Sequence, residues 1–386
     1  MRIALLSPLP PEQTGIADYA GHFRRALQAL GLEVVCPLQD APNLAAFDWS
    51  RVDVAHAELG GGRLREFRAL QWLRAHQPQV PLTATVHDPE RLVWRLDELP
   101  WPLRPLARLP RPAPQVAALL ADPLTLAQER RLARQMSALV TLTERGGRVL
   151  AERMELRARQ RRCIPHGNLM VPAQPLPPLK PLRLLYFGFI YRGKGIEDLL
   201  DALALTLKRR PEFRDQVRLT LAGGTAPDIA FGAHGNYLDE LRQRARSHNL
   251  EDALEWALDL PAEQIPACIQ NHHVLVLPYR ESKKLGLLGQ MRGTSGALSW
   301  ANACGRGVIT SDARAFAEEV SEGNGLTFAQ GDVVALSERI EQALSQPHSV
   351  TQWAARAAEI GAQRAWPNVA RRFHDLFAAV AQGVER

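Results

Sequence analysis

The residues best able to do chemistry stand in the run LLYFGFIYRGKGIEDLLDAL. There Gly188 closes an apolar stretch, and Arg192, Lys194 and Gly195 come just before Ile196, Leu199, Leu200 and Leu203, which share one helical face. A diphosphate could sit there among the turn amides, the positive end of the helix and the Arg192 and Lys194 side chains; a plain helix start reads the same way from spacing alone. Further on, Ser295 and Gly296 precede a second apolar helical run that begins with Ala297 and Leu298. Ser295 is suited to cap that helix, and Gly296 lets backbone come close to an anion. In the first half, TVHD leaves His87 and Asp88 at the end of an apolar run, where a histidine can hydrogen-bond a ligand. Thr14 and Gly15 lie in the loop PPEQTGIADYA, and Asp18 follows one turn later, either as a ligand contact or as a favourable acid near a helix N-terminus. No Asp-x-Asp occurs, and no His, Cys or acid cluster has metal-ligand spacing, so neither a metal site nor a bound cofactor is expected.

These residues must be held by alternating strands and helices. RIALLS, LEVVCPL, DVAHAEL, LTATVHD and SALVTLTE read as strands separated by amphipathic stretches, and the same rhythm resumes in LRLLYFG, VRLTLAGG, ALEWALD, HHVLVLPY and RGVITSD. The pause between them, VPAQPLPPLKP, carries five prolines and reads as an extended linker. The expectation is an α/β chain of two Rossmann-like, doubly wound domains facing across a cleft: residues 1–172 joined by a returning helix over 366–386, a linker over 173–181, and a second domain over 182–365. His166 and Gly167, just before the linker, read as structural hinge residues.

From Leu184 to about Leu344 the chain resembles the donor domain of retaining GT-B glycosyltransferases, in particular glycosyltransferase family four. The resemblance rests on FGFIYRGKGIEDLLDAL, LTLAGG, HHVLVLPYRES, TSGALSWANACGRGVITSD and NGLTFAQGDVVALSERI in that order, and extends forward through SPLPPEQTGIADYA, TVHD and CIPHGN. It implies transfer of a sugar, with retention, from a UDP- or GDP-sugar to a glycan or lipid-linked acceptor. His87, Lys194 and Arg192 would be catalytic. Gly15, Gly188, Lys194, Glu281, Arg292, Ser295, Gly296, Ala297 and Leu298 would face the donor, and Thr14, Asp18 and Asp88 the acceptor side. The pattern is broken in places. Arg292 and Trp300 occupy the positions of two family glutamates, and Phe189 that of a family arginine, for which Arg192 is the candidate replacement. Glu281, in a loop with Lys283 and Lys284, is the candidate to replace the first glutamate. The same departures motivate an alternative, a catalytically weak GT-B partner or scaffold in a polysaccharide-assembly complex.

With 46% hydrophobic and 23% charged residues the chain is globular, neither disordered nor fibrous. No stretch approaches the roughly 20 apolar residues that span a bilayer, MRIALLSPLP reads as a buried first strand, and a cytoplasmic location is expected. The four cysteines are widely spaced and read as packed thiols. Residues 1–178 hold 23 arginines, no lysine and 17 acids, so the whole formal charge of +6 lies in the first half. That bias suits either an anionic partner or a solvated arginine-rich surface. The arginine, tryptophan and leucine mixture from Arg91 to Leu124 could lie on an anionic membrane as a peripheral contact, although its prolines argue for a folded loop. Nothing marks a nucleic-acid module, and no nucleic-acid partner is expected.

Overall fold

In the computed structural model, which describes residues 1–12, 14–94, 103–110, 113–224, 231–232, 235–281, 289–290 and 293–383, the apolar runs become two parallel sheets. The first is built from β1 (Arg2–Leu6), β2 (Glu33–Val35), β3 (Val54–Leu59), β4 (Leu82–Val86), β5 (Ala138–Thr141) and β6 (Arg161–Cys163), in the order β2-β1-β3-β4-β5-β6. The second contains β7 (Leu182–Phe187) and β8 (Val217–Gly223). After a short antiparallel pair, β9 (Phe231–Gly232) and β10 (Gly235–Asn236), it continues with β11 (Leu254–Leu258), β12 (Val274–Leu277), β13 (Gly307–Ser311) and β14 (Gly325–Phe328). Its order is β11-β8-β7-β12-β13-β14. Strands β3, β4, β5 and β13 are buried along their whole length, as strands covered by helices on both faces must be. The edge strands β6 and β14 interrupt the apolar rhythm because they are short and only half-buried.

In each sheet the direction of winding reverses once, between β1 and β3 and between β7 and β12, and such switch points are where open α/β sheets receive ligands. The helix Gly15–Ala29 follows β1, capped by Thr14, whose hydroxyl accepts the Ala17 amide at 3.1 Å, and it buries Ala17, Tyr19, Ala20, Phe23 and Leu27. The helix Ile196–Arg209 follows β7 and buries Ile196, Leu199, Leu200 and Leu203, the face read from the sequence.

The chain divides into two units, residues 1–167 with 283–294 and 366–386, and residues 168–282 with 295–365. The closing helix Trp366–Ala381 lies in the first, with Phe373 4.6 Å from Phe23 and Phe377 5.2 Å from His56 between ring centres. Two boundaries differ from the sequence expectation. The proline stretch does not hang between domains: it is strapped to the second unit by Arg306, only 2% exposed, whose guanidinium donates to the carbonyls of Gln174 (3.2 Å) and Pro175 (3.1 Å). Asn168 already belongs there, its amide bonded to Arg364 O at 2.7 Å and its side chain accepting from Ser299 at 2.5 Å. Conversely, residues 283–294 fall in the first unit, where the Gln290 amide donates to Glu90 at 2.8 Å.

The region from Arg91 to Leu124 also differs from the loop expected there. Residues Ala113–Ala133 form a helix with Pro123 inside it. Pro114 falls in its first turn, where no amide is needed, and the missing Pro123 bond is offset by anchorage on Arg91, which binds Glu129 at 2.6 Å, Thr125 at 3.0 Å and also Asp122.

Candidate active site

In the second unit the loops after β7 and β12 converge on one aromatic ring. Tyr279 is buried at 3% exposure and lies just past β12. The Lys194 ammonium stands 3.7 Å from its ring centre and 5.1 Å from that of Tyr191. The ring attracts the ammonium through its quadrupole and adds no opposing charge of its own. The Tyr279 hydroxyl is 3.2 Å from Ser295 Oγ, and a Cβ on Gly188 would come within 3.5 Å of it. Burial pushes that hydroxyl up, so it stays protonated near neutrality. Ser295 caps the helix Gly296–Ala303, accepting the Ala297 amide at 3.3 Å, as its sequence position indicated. Space beside Gly296 is open, while Ala297 and Leu298 turn inward. Lys194, Gly188, Ser295 and the first turn of Gly296–Ala303 are thus gathered by Tyr279, a residue the sequence reading did not single out.

The turn that presents Lys194 is fixed by backbone. Gly195 has φ +67°, and a Cβ there would lie 1.8 Å from the carbonyl oxygen of Pro278. Only glycine lets the helix start pass this close to the end of β12. Arg280 braces the arrangement, with its amide on Gly193 O at 3.0 Å and its guanidinium paired with the buried Asp198.

Arg192, the expected second cation, is exposed, paired with Glu240 and 5.1 Å over the Tyr237 ring; reaching a phosphate requires leaving that pair. Phe189 is 40% exposed, and its carbonyl accepts from Tyr186 at 2.8 Å. Glu281 accepts the Arg314 amide at 2.7 Å, and its own amide donates to Gln330 at 2.8 Å, so its carboxylate shapes the turn after β13. Trp300 packs on Phe187, 6.4 Å between ring centres, so this position offers an indole instead of a carboxylate. Arg292, Lys283 and Lys284 lie outside the described residues.

In the first unit, the part-buried His87, just past β4, and the buried His56 share one acid. The His87 Nε2 donates to Glu58 Oε2 at 2.7 Å, and His56 Nε2 lies 3.2 Å from the other carboxylate oxygen. Thr83 donates to Ala55 O and therefore accepts His56 Nδ1–H, at 2.9 Å. Glu58 and His56 are both fully buried on β3, beside the switch point. Burial would push the Glu58 carboxyl up, but the hydrogen bonds and charges of His56 and His87 hold it below the usual carboxylate range. A Glu in the apolar run DVAHAEL was the available signal, because a charge inside a buried strand needs a partner. Tyr19 packs edge-on against His87 at 4.7 Å and against His166 at 5.0 Å.

Asp88 accepts the Gly61 amide at 2.9 Å and so holds the loop after β3. Thr14 is committed to its cap, while Gly15 and Asp18 are exposed on the first turn of their helix. His166 bonds Gly167 O at 2.8 Å, and a Cβ on Gly167 would meet the Trp366 indole at 2.3 Å. Both pack within the first unit. Among the described residues no group of three or more His, Cys, Asp or Glu is placed to hold a metal ion, and no helix is long and apolar enough to cross a membrane.

Residues 171–360 match the family described as Glycosyl transferases group 1. No curated protein matches the chain in sequence. Among solved structures it is similar to sucrose-phosphate synthase from Thermosynechococcus elongatus, with a TM-score of 0.68 and 18% identity over 99% of this chain and 100% of that one. It is likewise similar to HepE from Anabaena, solved in complex with UDP-glucose, with a TM-score of 0.65 and 17% identity over 98% and 100%. At such identities the likeness is one of fold, and the family match in the second unit adds the activity class. The chain has the GT-B fold and is a glycosyltransferase, its residues 171–360 matching the glycosyl transferases group 1 family.

Proposed function

We propose that the chain moves a sugar from a UDP- or GDP-sugar to a hydroxyl of a glycan or lipid-linked glycan, with retention of anomeric configuration and without a metal ion. The observation that carries this reading is the gathering of Lys194, Gly188 and the Ser295-capped helix start around Tyr279, at the switch point of the second sheet. A diphosphate there meets a fixed ammonium and the N-terminal amides of Gly296–Ala303. UDP-glucose bound to the similar Anabaena protein supports a uridine donor.

In the reaction the bond between the anomeric carbon and the diphosphate oxygen breaks, and its electron pair leaves with the diphosphate. The acceptor oxygen attacks from the same face, and its proton passes to the departing phosphate. Lys194 and the helix start meet the negative charge that develops, the task a divalent ion would otherwise perform. His87, with Nε2–H held by Glu58, leaves Nδ1 to accept from a hydroxyl of the transferred sugar or, once protonated, to donate to its phosphate. The same reading sets the enzyme at work in the cytoplasm, at the inner face of the membrane when its acceptor is lipid-linked. The test is to incubate the chain with UDP- and GDP-sugars and glycan acceptors in excess chelator, following nucleotide release and product configuration by NMR. Retained configuration with most of the rate preserved is expected. An inverted product, or activity abolished by chelation and restored by manganese or magnesium, would refute the retaining or the metal-free part of the reading respectively.

A further inference from the structure

The helix Ala113–Ala133 has two faces of opposite character. Its inner face buries Ala117, Ala121, Thr125, Glu129 and Leu132. Both of its acids turn away from the solvent face, Glu129 buried on Arg91 and Asp122 paired with Arg91 and Arg153. The outer face presents Val116, Leu119, Leu120 and Leu124, with Leu120 and Leu124 at 65% and 62% exposure, and Pro123 and Ala127 between them. At 3.6 residues per turn these positions fall within an arc of about 140° and run for about 17 Å. Cations stand at both ends: exposed Arg108 beside exposed Leu109 before the helix, and exposed Arg131 one turn past Ala127. Soluble monomers seldom leave such a stripe of leucines uncovered.

We propose that this face docks on an anionic lipid bilayer, the leucines entering the boundary between headgroups and acyl chains while Arg108 and Arg131 pair with lipid phosphates. Charge selects this occupant. The outer face carries no acid among the described residues, its ends are basic, and the first half of the chain holds the whole net charge of +6. A shallow apolar stripe between arginines matches the depth of about 5–10 Å to which interfacial helices enter. The proposal is independent of the transfer reaction, since binding is read without any sugar donor.

The experiment is flotation of the full chain with vesicles of phosphatidylcholine alone and of phosphatidylcholine with about one third phosphatidylglycerol. The protein should float with the anionic vesicles and bind the neutral ones at least tenfold more weakly. L120S/L124S, which alters only exposed side chains and should keep the wild-type circular dichroism spectrum, should bind anionic vesicles at least tenfold more weakly than wild type. R108E/R131E should fall to the level of neutral vesicles. Failure of the wild type to float, or equal flotation of the leucine variant, overturns the proposal. So does a wild-type dimer in light scattering that L120S/L124S dissolves, because the face would then be a contact between two copies of the chain.

Discussion

His87 and Lys194 are set up by opposite means. His87 is aimed by a charge, since Glu58 takes Nε2–H and so fixes which ring nitrogen remains for a ligand. The Lys194 ammonium stands over the Tyr279 ring, whose quadrupole attracts it and which brings no charge of its own. Replacing Glu58 by Gln keeps an acceptor of similar size but removes the negative charge between the two histidines. Turnover at saturating donor should fall about tenfold or more, with nucleotide-diphosphate affinity within about twofold, because the altered group serves His87 and not the diphosphate. A variant with normal turnover and poor nucleotide binding would show that the work is divided otherwise. Lys194, Gly188 and Ser295 were legible because turn glycines, a cation and a cap act through local sequence. Tyr279 and Glu58 were not, because their roles arise from packing across strands that are distant in the chain. Glu58 meets a histidine 29 residues away, and Tyr279 a serine 16 residues away.

At the scale of elements, strand-helix alternation was readable wherever strands are buried on both faces, and failed at β6 and β14, which are short and half exposed. The proline stretch misled differently. Its composition describes a free linker, but the buried cation of Arg306 binds its carbonyls from another part of the second unit. The helix over 113–133 was hidden by its prolines, and its stability draws on Arg91, far outside the segment. The phosphate turn gives the sharpest test of how an element is specified. Gly195→Ala combines a left-handed backbone with a Cβ 1.8 Å from main-chain oxygen, which cannot swing aside as a side chain would. It should cost about 3 kcal/mol or more in denaturant unfolding and weaken nucleotide binding with it. A variant as stable as the parent would mean that the loop after β7 does not run against Pro278.

Across the molecule, two doubly wound units were legible from the rhythm of apolar runs, whereas the assignment of residues 283–294 to the first unit was not, since it depends on contacts such as that of Gln290 with Glu90. Both units share a sensitivity to acid. Burial lowers His22 and His166 in the first and His272 and His273 in the second, His166 to about 4. An unfolded chain binds those protons from about pH 6.5 downward while the folded one resists them, so stability is complete above that value and declines toward pH 4. Glu58, held low by its histidines, adds a further loss as pH falls from the carboxylate range through its depressed value. Urea midpoints should therefore drop between pH 7 and 5, less so in His166→Gln; equal midpoints at the two values would contradict this. The proposed transfer requires a nucleotide diphosphate seated at Lys194. Calorimetric titration of UDP and GDP into the full chain and into Lys194→Ala measures that contact, for which a charge-assisted bond is worth about 1.5–3 kcal/mol. At least one nucleotide should bind the wild type, and bind a folded Lys194→Ala about tenfold to a hundredfold more weakly; equal affinity in the two proteins, or no binding of either nucleotide to the wild type, would contradict it.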